Sequence, residues 1–79
     1  MDREQIRSKM SDIVESVLRH RKFELKDETT AGEIDGWDSL SHMVIISEIE
    51  KAMNMKFAFI EIVNMECMGD MIDLIISKQ

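Results

Sequence analysis

Five consecutive residues, Gly36-Trp37-Asp38-Ser39-Leu40, form the most chemically suggestive arrangement in the chain: a turn glycine, the lone tryptophan, and an acid set against a serine hydroxyl. An apolar-periodic run begins directly after them and predicts a helix start, with the Asp38 carboxylate accepting bonds from the free N–H groups of the first turn. Ser39 is then expected to stand exposed at the positive end of that helix, where backbone N–H groups favour an attached phosphate. A phosphodiester on this hydroxyl is physically sensible. The plainer reading makes Asp38 and Ser39 ordinary capping residues.

Other side chains invite rival chemistries. His42 follows Ser39 by three residues, a helical separation that would let an imidazole approach the hydroxyl as in a hydrolase. No oxyanion-hole segment or substrate cleft is evident, however, and His42 projects toward the side of Ile45 and Ile49. Packing at the top of a helical bundle, touching the loop or a group attached to Ser39, is the expected role. Residues 27–38 have the length of a calcium loop, and Asp27, Gly32, Ile34, Asp35 and Asp38 fit its frame. Thr29 and Ala31 fall where oxygen ligands are needed and the last position holds Asp rather than Glu, so no metal site is expected. Cys67 is the only cysteine. It can form neither an intrachain disulfide nor a cysteine zinc site, and is expected to be a partly buried structural residue.

These residues need elements to position them, and 79 residues suffice for one small domain over 1–79, which excludes a two-domain enzyme. A 44% apolar and 33% charged composition argues against disorder. No proline, three glycines and eight methionines favour an all-α fold, since strands want β-branched and aromatic residues and more turn glycine. Ile6, Met10, Ile13, Val14, Val17 and Leu18 predict a first helix from Asp2 to about His20. A long loop over 21–38 follows, with Leu25 and Ile34 as isolated apolar anchors. A second helix is predicted from Ser39 to about Met53, with Ile45, Ile46, Ile49 and Met53 facing the core. Leu40, Val44, Ser47 and Lys51 fall on the opposite side, where Leu40 and Val44 are apolar residues in place of polar ones and hence candidates for a partner surface. Residues 58–65 predict a short or irregular helix; Phe59 and Ile60 are expected to pack, the other reading being that they extend the apolar strip of Leu40 and Val44. Met68, Met71, Ile72, Ile75 and Ile76 predict the last helix, and Met10, Met53, Met68 and Met71 are expected as core filler.

The net charge is −6, divided unevenly: residues 1–26 hold seven bases and five acids, residues 27–79 three bases and eleven acids. Nucleic acid is thereby disfavoured as a partner, and a basic protein is the better guess beside a merely solvated acidic surface. No apolar run approaches the roughly 20 residues of a membrane span, and the start is polar, so a cytoplasmic protein is expected.

At this point the sequence resembles the acyl carrier proteins and the related peptidyl carrier domains, whose signature is an Asp-Ser-Leu triplet opening the second helix. The resemblance covers nearly the whole chain: the first amphipathic helix, the loop anchor Ile34, Asp38-Ser39-Leu40, Ile49-Glu50, Phe57, Glu61-Ile62 and Gly69-Asp70-Met71-Ile72. It implies an all-α, small four-helix bundle with a long loop between helices 1 and 2 and a short third helix. It further implies a monomer with no catalytic residues of its own. Ser39 would carry 4′-phosphopantetheine, transferred from coenzyme A by a phosphopantetheinyl transferase, with Asp38 and Leu40 completing the motif. Acyl groups would ride on the arm as thioesters, presented to acyl-loading and acyl-processing enzymes through Trp37, Leu40, Met43, Val44, Ser47 and Lys51. The rival reading of the methionines, beside core filler, is a soft core that opens to shelter part of an acyl chain, as in some members. Val44 and Lys51 stand where fatty-acid carriers often show acids, and Trp-Asp-Ser-Leu looks more like freestanding carriers of specialised polyketide, nonribosomal peptide or surface-saccharide pathways. Ala58-Phe59 and Cys67 also depart from the usual helix caps. The alternative from a different class is an unmodified helical adaptor that binds a protein through the same strip.

Overall fold

A computed structural model describes residues 1–79, and every regular element in it is helical. Helix α1 spans Arg3–Leu18 and is opened by a reciprocal cap: Gln5 N donates to Asp2 Oδ1 at 2.8 Å, and Asp2 N donates to Gln5 Oε1 at 2.9 Å. It ends about two residues before the expected His20, because Arg19 adopts a left-handed conformation (φ 63°) and turns its N–H onto Glu15 O. No glycine marks that stop, which left-handed helix ends usually require. Residues 19–38 then run to the next helix with one 3₁₀ turn at Ala31–Glu33. Helix α2 spans Ser39–Met53, the predicted bounds, and is closed by left-handed Asn54. Helix α3 is only Phe59–Val63, and α4 spans Met68–Lys78.

The core forms where α1 packs against α2 and α4. Ile6, Met10 and Val14 of α1 meet Ile45, Ile46 and Ile49 of α2 and Met68, Met71, Ile72 and Ile75 of α4, all buried, with Leu25 and Phe57 at the edges. Met53, expected among them, is only half-buried against this core. Fully burying such a side chain stabilises by about 1.5–3 kcal/mol, so three buried isoleucines fix which face of α2 is turned inward.

The connection between α1 and α2 is tethered along its length. Leu25 and Ile34 are buried as expected. Thr29 is also buried; its hydroxyl donates to Glu24 O at 3.1 Å and accepts from Lys26 N at 3.0 Å. Two backbone bonds join the connection to the start of α4, Gly69 N to Asp27 O and Met68 N to Thr29 O, both 2.8 Å. Arg3 and Arg7 of α1 grip the Asp27 carboxylate, which holds its pKa below the ordinary carboxylate value, the Arg7 hydrogen bond contributing most. Nearer α2, His20 Nε2 bonds Asp35 O at 2.6 Å, and His20 Nδ1 accepts from Lys22 N at 3.0 Å.

Helix α3 corrects one expectation. Phe59 and Ile60 are not packed; they are 80% and 61% exposed, joined by exposed Val63. A helix of five residues offers only one short inward face, and Ile62 takes it against the core. The cap missing from Ala58 is replaced from within: Ala58 N donates to Glu61 Oε1 at 2.7 Å, and Glu61 also pairs with Lys78 of α4 at 3.1 Å.

Candidate functional site

Asp38 stands just outside α2, where its Oδ1 accepts Ser41 N at 2.8 Å and its carbonyl accepts His42 N, also at 2.8 Å. The Ser41 backbone bond is the largest cause of a carboxyl pKa below the ordinary Asp value, so the cap is ionised at neutral pH. Gly36, at φ 86°, turns the chain into this start, and the Ser41 hydroxyl is held there by donating to Gly36 O at 3.2 Å. Ser39 differs from its neighbour. It is the first residue of α2, exposed, and its hydroxyl makes no hydrogen bond within the chain.

Trp37 and His42 wall this serine on one side. The Trp37 indole N–H donates to His42 Nδ1 at 3.1 Å, with the rings tilted 41° and their centroids 6.0 Å apart. An indole nitrogen only donates, so Nδ1 of His42 accepts and the neutral ring carries its proton on Nε2. Both rings line an open hollow with Ala31, Asp38, Ser39 and Met43. They also border a smaller cavity of about 40 Å³ reaching Met65, Cys67 and Met71. His42 therefore packs against the loop side as expected, and no Ser39–His42 bond exists from which a nucleophile and base could be assembled. The calcium frame does not converge either: Asp27 is held by two arginines, Asp38 caps α2, and no group of three or more His, Cys, Asp or Glu is placed to hold a metal ion.

The outer face of α2 carries Leu40 at 76%, Met43 at 56% and Val44 at 42% exposure, with Ser47 and Lys51 exposed beside them. Trp37 is different from this set: it is half-buried against the core, and its polar atom is engaged by His42. Of the nearby acids, Glu50 accepts Phe57 N at 2.9 Å and Glu48 lies 3.5 Å from Lys51. Sequence reasoning did not single out His20, the buried hydroxyl of Thr29 as a tether, or the Asp27–Gly69 contact, each of which ties the loop in place. A close approach at Gly69 is the one signal that existed, a glycine in the first turn of a helix. No helix is long and apolar enough to cross a membrane.

No protein-family model matches the chain, and no match is found among the curated proteins compared. Among solved structures, the solution NMR structure of holo acyl carrier protein from Geobacter metallireducens is similar to it at a TM-score of 0.82 and 37% identity, over 90% of this chain and 82% of that one. At that identity and coverage, with four helices in the same arrangement, the chain belongs to the acyl carrier protein family, a family of carriers and not of enzymes.

Proposed function

We propose that Ser39 is the attachment residue for a 4′-phosphopantetheine arm, placed there from coenzyme A by a phosphopantetheinyl transferase, and that the chain presents acyl groups to loading and processing enzymes. The single observation that carries this reading is the Ser39 hydroxyl, exposed and unbonded at the first residue of a capped helix. The residues fit the group. Ser41, two positions on, has its hydroxyl committed to Gly36 O, so Ser39 alone in this turn offers a free oxygen. When bound, the arm supplies a terminal thiol that holds acyl groups as reactive thioesters and raises their effective concentration at a partner's active site.

The chain's own contribution is positional. Asp38 fixes where α2 starts, the N-terminal end of α2 favours a negative phosphodiester, and the outer residues Leu40, Met43, Val44, Ser47 and Lys51 form the docking face, with Trp37 bracing its upper edge. The apolar Val44 and the basic Lys51 favour a specialised pathway (polyketide, nonribosomal peptide or surface saccharide) over housekeeping fatty-acid synthesis. A cytoplasmic monomer is the proposed working form.

Incubating the protein with coenzyme A and a promiscuous phosphopantetheinyl transferase tests the attachment. The expected outcome is a mass gain of one phosphopantetheine that disappears in Ser39→Ala. No gain, under conditions that load a control carrier, would favour an unmodified adaptor acting through the exposed apolar residues of α2 and α3.

A further inference from the structure

We propose that His42 is a positioning residue for the phosphodiester on Ser39, donating from Nε2–H to a phosphate oxygen while Trp37 holds the ring from the other nitrogen. The proposal rests on Ser39 being the attachment residue. Its geometric basis is that Ser39 and His42 lie one helical turn apart and line the same hollow. Its chemical basis is the tautomer. Because Nδ1 accepts from the Trp37 indole, the ring's one donor in the neutral state is Nε2, and that nitrogen has no hydrogen-bond partner in the chain. An unpartnered donor and an unpartnered serine oxygen therefore border the same hollow.

Charge points the same way. No lysine or arginine lines the hollow around Ser39 or the small cavity next to it, so His42 is the one side chain there able to oppose a phosphate's charge. The ionisable groups sharing those surfaces with it are Asp38 in the hollow, and Glu66 and Cys67 in the cavity. Asp38 already accepts Ser41 N, which keeps the carboxylate on the cap, while the phosphodiester beside it needs a donor of its own. Protonation of His42 would strengthen its bond to the phosphate as a charge-assisted one, and would break the indole bond, because Nδ1 could no longer accept.

The test is ³¹P NMR of the loaded protein between about pH 5 and 8, the range in which an imidazole titrates and a phosphodiester does not. Loading on Ser39 is first verified by mass. The expected result is an inflection in the ³¹P shift of holo wild type, a movement of the His42 ring ¹⁵N signal on loading, and loss of the inflection in holo His42→Phe. His42→Gln, which keeps a donor that does not titrate, loses it likewise, and His20→Gln retains it. An inflection that survives in His42→Phe does not arise from His42 and overturns the proposal, as does a flat profile in loaded wild type. Failure to load Ser39 overturns the attachment reading itself and is seen by mass before any spectrum is recorded.

Discussion

Where α2 begins decides where Ser39 stands, and one carboxylate sets it. Replacing Asp38 by Ala leaves Ser41 N without its acceptor, and a lost N-cap of this kind is expected to lower Tm by about 5 °C in a domain of this size. Asp38→Asn, which keeps an acceptor oxygen but loses the charge, should recover only part of that loss. The pH dependence follows from the sign of the shift: the folded-state pKa of Asp38 is depressed, so its contribution is present above the unfolded value and disappears as pH falls below roughly 4. Melting curves at pH 7 and pH 3 should show the gap between wild type and Asp38→Ala closing in acid; a gap that persists would mean the carboxylate's charge is irrelevant to the cap. This cap and the serine after it were legible because capping acts over three residues of sequence. The Trp37–His42 bond was not, since it crosses from the turn into the helix and depends on how Gly36 bends the chain.

Elements were read well wherever a local signal marked their ends, as at Asp2 and Asp38, and less well where an ordinary residue took a left-handed turn, as Arg19 does. Hydrophobicity alone also misplaced Phe59 and Ile60, because a five-residue helix cannot bury all its apolar residues. The connection before α2 was the least legible part, since its contacts join residues distant in sequence, Asp27 with Gly69 and with the two arginines of α1. Gly69→Ala tests that join. In an unobstructed helix the exchange stabilises by about 1 kcal/mol. Here an added Cβ would lie 3.0 Å from Asp27 O and 3.1 Å from Asp27 Cβ, so the loop must move and strain its bond to Gly69 N. A net destabilisation of about 1–2 kcal/mol is expected in urea denaturation; a stabilised variant would show that this contact does not hold the loop. Asp27→Asn should destabilise at pH 7 and progressively less in acid, because the depressed pKa of Asp27 makes its stabilising charge vanish as pH drops through the carboxylate range.

Over the whole molecule, part of the uneven charge of the sequence becomes internal pairing: Arg3 meets Asp27 and Asp73 and Arg7 meets Asp27, while Arg21 pairs with Asp12 and Glu15 within the first third. The acids closest to the proposed docking face are likewise occupied, Asp38 by the cap, Glu50 by Phe57 N and Glu48 by proximity to Lys51. The −6 net charge therefore says little about that face, which is dominated by Leu40, Met43 and Val44. If partners grip it by burying these side chains, a phosphopantetheinyl transferase acting on the apo protein should show the dependence directly. Burying one such residue contributes about 1.5 kcal/mol or more, so Val44→Glu is expected to lower kcat/KM about tenfold, and Leu40→Ala similarly, while Glu48→Gln leaves it nearly unchanged. Raising salt should alter the wild-type value little, because screening weakens exposed charge pairs and not apolar contact. The opposite pattern, a steep loss with salt and an unaffected Val44→Glu, would assign docking to the acidic surface.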